Sequence, residues 1–317
     1  MKHKSLSTIT LLFLSFSFLS LFNSCTPAQA NHPATEDHPK KIALLLVNHG
    51  SRSETWRKAL LSLETQVKDS ILKRGTIQEV TTAFMEYTEP SIATRLQDLD
   101  NKGFTDVIMV PVFLTVSPHS FDDIPTIIGQ KEDPKSLEVL KVDKIARYTP
   151  KANVHIAPLL DFTDMLQKNI LRRFQAISQQ PEKEGVVLLA YGDETYLKEW
   201  SELLTKVGKH VCDNTKVTHF SFGWCGHIAR YSPDSTTVAI KRVLRNKEKA
   251  VVIPVLIAHD EMFQVKIIGD GIAKITDYKQ RVIYKPDALL PDENVEQWII
   301  QITRDFERKI AGESVVN

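Results

Sequence analysis

Residues 106–125, DVIMVPVFLTVSPHSFDDIP, form the stretch of sequence that best predicts the fold. Within it, residues 107–114 are an apolar run of strand length with almost no polar alternation. Such a run is typical of a parallel strand covered on both faces. The run is followed by Ser117-Pro118 and then by His119. Because ligands bind outside the carboxyl ends of strands in open α/β sheets, we expect His119 at the functional edge of a sheet.

A second histidine follows another predicted strand in the same way. Residues 42–47 are apolar, and His49 comes shortly after them, ahead of Gly50. The carboxyl ends of parallel strands lie at one edge of a sheet, so we expect the two imidazoles to meet there. The pair formed by His49 and His119 is the candidate functional site.

Strands and helices alternate from Lys41 to the end of the chain. This spacing predicts βαβ units, and therefore an α/β fold of two similar halves, each a parallel sheet flanked by helices. We place the first half at residues 41–180 and the second at 181–317, with a polar linker at 178–184. The third strand is expected at 106–114 and the fourth at 154–160, and a helix at 162–177. The charged segment 131–151 contains two prolines and is expected to be irregular.

The two halves also align with each other, which indicates a repeat of domain size. Residues 45–51 match 187–193, and residues 110–114 match 253–257. His259 is one possible counterpart of His119 in the second half. An ungapped count instead gives these replacements: His49 by Tyr191, Glu86 by Trp224, and His119 by Met262. On that count, the second half keeps the scaffold and loses the candidate site.

The composition narrows the class of protein. The chain has 317 residues and a formal net charge of +1, which allows a large core and argues against a general nucleic-acid-binding protein. The sequence has no glycine-rich phosphate loop, so no nucleotide cofactor is expected. Cys212 and Cys225 either form a disulfide, if the protein folds in an oxidising compartment, or remain separate thiols.

Residues 1–25 have the pattern of an export signal. Two lysines precede an uncharged apolar segment at 6–22, and Ser24-Cys25 follows, which is similar to a bacterial lipoprotein signal. A single membrane-spanning anchor is the alternative. Residues 26–40 are typical of a flexible tether, and His32 and His38 are interpreted as part of that spacer. We therefore expect an exported, membrane-anchored protein on the periplasmic side or the cell surface. If the signal is misread, the protein is cytoplasmic.

Three motifs, in order, carry a resemblance to a known family. They are His49-Gly50-Ser51-Arg52, then Phe84-Met85-Glu86 with Glu89-Pro90-Ser91-Ile92, then Pro111-Val112-Phe113-Leu114 with His119 and Asp123-Ile124-Pro125. Together they resemble the sirohydrochlorin chelatases, which are the cobalt- or iron-inserting enzymes of the class II tetrapyrrole chelatase superfamily, CbiX-like in form. The resemblance covers the first half closely and the second as a degenerate copy. One departure is Ser117-Pro118, because the family usually has a glycine before the second histidine.

The resemblance implies two α/β halves that face each other across a cleft. It also implies a metal chelatase, a lyase that inserts Co²⁺ or Fe²⁺ into sirohydrochlorin or a related tetrapyrrole, as in cobalamin biosynthesis. By analogy, His49 and His119 hold the metal ion, which is a substrate, and accept protons; neutral imidazole suits these ions. Glu86 then orients a histidine, ligates the metal or relays protons, and a plain salt bridge is its alternative role.

Further residues are candidates either for the cleft or for structural roles. Ser51 and Arg52 follow the first strand, and Arg52 either pairs with a substrate carboxylate or braces the first helix. His259 is the best second-half candidate for a group in the cleft. Asp122, Asp123 and Glu89 are interpreted as carboxylates at helix N-termini. His155 is assigned to the core or the cleft wall, as are Trp224 and Met262. His219 and His227 lie near Cys225 in the sequence, but their spacing matches no standard zinc site.

Two functions remain open at this point. Tetrapyrrole assembly is normally cytoplasmic, so the expected export is unusual for such an enzyme. The alternative is an exported, non-catalytic carrier of a tetrapyrrole or a metal on the same fold. In both cases the expected partners are a tetrapyrrole, a metal ion and the membrane, with no nucleic acid, and the oligomeric state is open.

Overall fold

Two parallel sheets form the framework of the protein in a computed structural model that describes residues 40–160 and 164–312. The strands are β1 (Ile42–Asn48), β2 (Ile77–Phe84), β3 (Asp106–Pro111), β4 (Asn153–Ile156), β5 (Glu184–Ala190), β6 (Phe220–Trp224), β7 (Lys249–Val255) and β8 (Val282–Tyr284). The first sheet has the order β2-β1-β3-β4, and the second has the equivalent order β6-β5-β7-β8. The predicted α/β fold with two similar halves is confirmed.

Helices connect the strands in both halves. They are α1 (Glu54–Leu72), α2 (Ile92–Asn101), α3 (Ile124–Ile127), α4 (Pro134–Val142), α5 (Met165–Ile177), α6 (Leu197–Asp213), α7 (Asp234–Leu244), α8 (Gly269–Ala273), α9 (Tyr278–Arg281) and α10 (Glu293–Ala311). Short π-helical segments follow β3, at His119–Asp123, and β7, at Met262–Ile268. A single turn of 3₁₀-helix, His227–Ala229, follows β6.

The central strands bring the carboxyl ends of their neighbours together. In the first sheet, β1 is buried along its whole length and pairs in parallel with both β2 and β3, with Val47 opposite Pro111. In the second sheet, Leu189 is opposite Pro254 in the same way. The segments that follow β1, β2 and β3 therefore start at one edge of the first sheet, as the sequence predicts.

The repeat extends into the loops beyond the strands. His119 begins the π-helical segment of the first half, and Met262 begins that of the second. The ungapped count along the sequence therefore agrees with the structure, and Met262 is the counterpart of His119. His259 lies three positions earlier, in the loop between β7 and the π-helical segment.

A shared apolar core joins the two halves. It contains residues from β1, β3, β5 and β7 together with residues from α1, α5, α6 and α10. Helix α5 of the first half packs on β7 and α6 of the second, and α10 of the second half packs on α1 and β3 of the first. Burial of apolar surface contributes roughly 25 cal/mol per Å², so this continuous core fixes the position of one half against the other.

Several element boundaries differ from those that the sequence predicts. The segment 131–151 contains α4 and is not wholly irregular, because Asp133 caps the helix by accepting a hydrogen bond from Ser136 N, and Pro134 occupies its first turn. A proline in the first turn starts a helix and does not break it. β3 ends at Pro111 and β4 at Ile156, both earlier than predicted, although Val112 N still donates to Val47 O at 2.8 Å. The predicted helix 162–177 is observed as α5, and residues 161–163 lie outside the described residues.

The two cysteines of the body are separate free thiols. Cys212 lies on α6 and Cys225 is buried just after β6, so the disulfide alternative is wrong. None of the helices within residues 40–160 and 164–312 is long and apolar enough to cross a bilayer. The predicted export signal (1–25) and nearly all of the tether (26–40) lie outside the described residues.

Candidate functional site

The backbone after β1 places His49 beside Glu86. Met85 N donates to Asn48 O at 2.8 Å, and Glu86 N donates to His49 O at 3.0 Å, so pairing of the β1 and β2 segments continues past the strands. Gly50 follows with φ +100°, and a Cβ on it would lie 2.0 Å from the Glu86 carbonyl oxygen. Only glycine fits at this position, since it lacks the side chain that would separate the two segments.

The His49 ring is held between two oxygens. Its Nδ1 lies 3.0 Å from Gly50 O, and its Nε2 lies 3.0 Å from Glu86 Oε1. Because a carbonyl oxygen only accepts hydrogen bonds, Nδ1 carries the ring hydrogen and Nε2 presents its lone pair towards Glu86. Burial, together with the nearby charge of His119, lowers the pKa of His49 to about 4, so the ring is neutral at pH 7.

The side chain of Glu86 is only 8% exposed and lies beside the neutral imidazole of His49. Burial raises the pKa of the Glu86 carboxyl, which favours its protonated form. Glu86 Oε1 lies 3.0 Å from His49 Nε2, so a proton on either atom joins the two groups by a hydrogen bond at the edge of the sheet.

His119 is oriented by a buried carboxylate four residues later. Its Nδ1 lies 2.7 Å from Asp123 Oδ2 within the π-helical segment. Burial raises the pKa of Asp123, but hydrogen bonds from His119 and Ser136 outweigh burial and leave that pKa below its usual range. The ionised Asp123 accepts from Nδ1–H, so the lone pair of His119 is on Nε2.

The two imidazoles lie side by side. Their ring centroids are 4.8 Å apart with an interplanar angle of 78°, and about a third of each side chain is open to solvent (34% for His49 and 32% for His119). In both rings a neighbouring oxygen holds Nδ1, which leaves Nε2 as the atom able to bind a metal ion. Within the described parts of the chain, no set of three His, Cys, Asp or Glu side chains is arranged to hold a metal. His49 Nε2, which lies beside Glu86 Oε1, and His119 Nε2 are thus the candidate metal ligands.

The predicted cleft residues Ser51 and Arg52 lie at the rim of this pair. Ser51 Oγ donates to Asp260 Oδ2 at 3.3 Å, which links the loop after β1 to the loop after β7. Arg52 is exposed, and its guanidinium lies over the ring of Tyr87, 5.3 Å from the centroid. Tyr87 in turn lies 6.0 Å from the His49 ring. Among the described residues, no hydrogen bond from Arg52 caps or braces α1.

His259 does not join the imidazole pair. Its Nδ1 lies 2.9 Å from Pro286 O, and it precedes Asp260, the residue that Ser51 contacts. Other polar candidates have separate partners. His155 pairs with Asp106 at the start of β3, His219 contacts Thr218 ahead of β6, Asp122 pairs with Lys131, and Glu89 accepts from Ser91 N.

Asp123 is the site residue whose role the sequence reasoning missed. The sequence pattern indicates a carboxylate that complements a helix dipole, but the side chain binds the imidazole of His119. The signal for it in the sequence was the spacing of four residues between a histidine and an aspartate in one helical turn. Trp224, the counterpart of Glu86, packs against Trp200 and Phe222 on the side of the shared core.

The family model CbiX matches residues 43–177 of the chain. The chain is 36% identical over 99 residues to the sirohydrochlorin cobaltochelatase of Methanococcoides burtonii, a match that covers 31% of this chain and 71% of that protein. It is 36% identical over 91 residues to the sirohydrochlorin cobaltochelatase of Methanocaldococcus jannaschii, covering 29% and 61% respectively. The residues that the family model matches lie in the half that contains the imidazole pair.

Solved structures extend the likeness to both halves. SirB from Bacillus subtilis with Fe³⁺ superimposes with a TM-score of 0.64 at 17% identity, covering 86% of this chain and 98% of that chain. The structure of CbiX, described as the terminal enzyme for biosynthesis of siroheme in denitrifying bacteria, gives a TM-score of 0.53 at 14% identity, covering 83% and 98%. At these identities the likeness shows the fold. Together with the curated relatives, it leads to one conclusion: the chain belongs to the CbiX family of metal chelatases.

Proposed function

We propose that this protein inserts a divalent metal ion, Co²⁺ or Fe²⁺, into sirohydrochlorin or a related tetrapyrrole. The observation that carries the proposal is the pair formed by His49 and His119, with centroids 4.8 Å apart and Nδ1 of each ring held by an oxygen. Support also comes from curated relatives named sirohydrochlorin cobaltochelatase.

The proposed reaction exchanges one metal ion for two protons. The ion leaves its protein ligands, binds the four ring nitrogens, and two pyrrole N–H protons depart. Two imidazole ligands suit a site that must release its ion, because closed sites with four protein ligands retain the metal. Release of the ion frees the Nε2 lone pairs of His49 and His119, and these accept the two pyrrole protons. Glu86, beside His49 Nε2, is positioned to relay one of them onward.

The rim residues are proposed to orient the macrocycle. Arg52 is exposed and stacked on Tyr87, with no ion pair among the described residues, so its guanidinium is available for a carboxylate of the substrate. Ser51 and His259 belong to the two loops that meet at the Ser51–Asp260 hydrogen bond. We assign both of these residues to the border of the substrate cleft.

The test is anaerobic metal insertion by the full-length protein, followed by the absorbance of sirohydrochlorin with Co²⁺ or Fe²⁺. His49→Ala and His119→Ala are each expected to reduce the insertion rate by at least about 100-fold, because each removes a ligand and a proton acceptor. His219→Ala is the matched control, since His219 is exposed and lies ahead of β6, at the opposite end of that strand from the cleft loops.

The outcomes separate the candidate functions. Insertion at the wild-type rate in both histidine variants contradicts the proposed site. Tight binding of the metallated ring without any insertion identifies a carrier instead of an enzyme. The ratio of the rates with Co²⁺ and Fe²⁺ identifies the metal.

We also propose that residues 1–25 export the protein and that lipid on Cys25 anchors it to a membrane. The support is the apolar segment followed by Ser24-Cys25. Cell fractionation of the wild type and of Cys25→Ser tests this, with the wild type expected in the membrane fraction and the variant released from it. Recovery of the wild type in the cytoplasm contradicts the proposal.

A further inference from the structure

The amino edge of the first sheet carries a group of exposed basic side chains. Helices between parallel strands return to the amino ends of those strands, so the ends of α1 and α2 lie near the start of β1. The end of α10 joins them, because α10 packs on α1. Six exposed cations at these ends are called the basic face: Lys40, Lys73, Arg74, Lys102, Arg308 and Lys309.

Direct contacts hold these helix and strand ends together. Lys40 Nζ donates to Ile310 O near the end of α10. Lys41 Nζ donates to Lys102 O at 2.7 Å, which joins the start of β1 to the residue that follows α2. The basic face is therefore one surface built from several elements, and it is not a property of a single helix end.

Positive charge outweighs negative charge on the basic face. Three of its cations pair with carboxylates: Lys102 with Glu79, Arg308 with Asp305, and Arg74 with Glu307. Six cations and three paired carboxylates give this group a formal charge of +3, whereas the whole chain has a formal net charge of +1. The positive charge of the protein is thus concentrated locally.

The opposite edge of the sheets has a different character. The loops after β2, β5 and β7 expose the carboxylates of Glu89, Glu194 and Glu261. Lys41 and His49 flank β1, and at about 3.3 Å per residue they are roughly 25 Å apart. Because the Debye length is about 8 Å at physiological ionic strength, charges at the two edges act independently.

We propose that the basic face docks on an anionic phospholipid surface. The part of the chain that the structure describes begins at Lys40, a member of the basic face. The predicted tether, residues 26–40, spans at most about 50 Å when fully extended, so an anchor at Cys25 keeps this face close to the bilayer. At the high local concentration that an anchor creates, a cluster of Lys and Arg side chains is attracted to anionic headgroups.

Docking in this way sets the orientation of the protein on the membrane. The basic face and the imidazole pair lie at opposite ends of β1. A docked protein therefore turns His49 and His119 away from the bilayer and towards the aqueous phase. The proposal rests on the proposed anchor and goes beyond it, because an anchor alone selects no face of the protein.

The test compares lysine reactivity in the full-length protein on two kinds of vesicle. The protein is reconstituted with vesicles of phosphatidylcholine, either alone or mixed with phosphatidylglycerol, then treated with an amine-reactive reagent and analysed by peptide mass spectrometry. On the anionic vesicles, Lys40, Lys73 and Lys309 are expected to react at least about 3-fold more slowly than on the neutral ones. Lys198 and Lys206 are exposed on α6 and are expected to react equally on both.

Ionic strength separates docking from anchoring in the same samples. At about 1 M salt the Debye length is about 3 Å, so the protection of the three lysines is expected to disappear. The protein is expected to remain with the vesicles, because the anchor does not depend on charge.

Charge-reversal variants locate the interaction. Lys73→Glu combined with Lys309→Glu is expected to return the reactivity of Lys40 on anionic vesicles to its value on neutral vesicles. Lys198→Glu combined with Lys206→Glu changes the net charge by the same amount on α6 and is expected to leave Lys40 protected. Near-ultraviolet circular dichroism confirms that each variant is folded.

Three results overturn the proposal in distinguishable ways. If the protein sediments with both kinds of vesicle and its lysines react equally on them, the basic face does not dock, and the anchor survives. If the protein sediments with neither kind, the anchor fails and the docking fails with it. If duplex DNA protects the same lysines and anionic vesicles do not, the basic face is a nucleic-acid surface instead.

Discussion

Replacing Gly50 by alanine tests how closely the segments after β1 and β2 must approach. A Cβ at this position would lie 2.0 Å from the Glu86 carbonyl oxygen, whereas contacts under 3.0 Å essentially never occur. The backbone must therefore shift by about 1 Å to admit the methyl group. His49 and Glu86 flank this contact and are hydrogen-bonded to each other, so the shift separates the pair.

The expected cost has two parts. A left-handed alanine costs about 1 kcal/mol relative to glycine, and the overpacked contact adds about 1–3 kcal/mol, so we expect the free energy of unfolding to fall by roughly 2–4 kcal/mol. A displacement of about 1 Å at a reacting centre also lowers the rate of insertion by about 100-fold. Urea denaturation measures the first quantity, and anaerobic insertion into sirohydrochlorin measures the second.

Gly103→Ala is the matched control for Gly50→Ala. Gly103 also has a positive φ, +74°, but a Cβ there meets nothing within 4 Å. Its substitution is therefore expected to cost only about 1 kcal/mol and to leave insertion unchanged. Equal effects of the two substitutions on both measurements would refute the inference that close approach of the backbones builds the site.

Three other substitutions test the electrostatics of the pair. Asp123→Asn weakens the acceptor that orients His119, and Co²⁺ affinity measured by calorimetry is expected to fall by about 10- to 100-fold. His49→Gln removes a group whose pKa is about 4 in the folded protein and 6.5 ordinarily. Between these two pH values the unfolded chain binds a proton that the folded protein does not, so the free energy of unfolding of the wild type falls as the pH is lowered from about 6.5 to 4. The free energy of unfolding of the variant is expected to fall less over the same range. Glu86→Gln acts oppositely: burial raises the pKa of Glu86, which stabilises the folded protein at low pH, so the variant loses stability more steeply on acidification.

Each of these expectations has an outcome that contradicts it. For the Asp123 variant, the contradiction is a Co²⁺ affinity equal to that of Asp122→Asn, whose parent side chain is paired with Lys131 instead of an imidazole. For His49→Gln and Glu86→Gln, the contradicting outcome is a denaturation midpoint that varies with pH as it does in the wild type throughout the acidic range.

The sequence alone predicted the α/β class, the repeat and the sheet edge at which the candidate site lies. Its apolar runs are long and uninterrupted at β1 and β3, and residues just past such strands share one edge of a parallel sheet. This rule relates His49 and His119 across seventy positions of sequence without any knowledge of packing. Helix α4 was missed because the cap formed by Asp133 and Pro134 has the same residue types as a turn.

Local sequence therefore determined the helices and strands, their order, and the sheet edge at which the candidate site lies. The reason is that hydrophobic periodicity, and the alternation of strands with helices, can be read from residues close together in the chain. The tertiary structure decided which partner each group has: Asp123 for His119, Glu86 for His49, and Asp260 for Ser51. It also decided that α5 and α10 each pack on the other half. These contacts join residues far apart in the chain, and they depend on side-chain volume and register, which no local pattern contains.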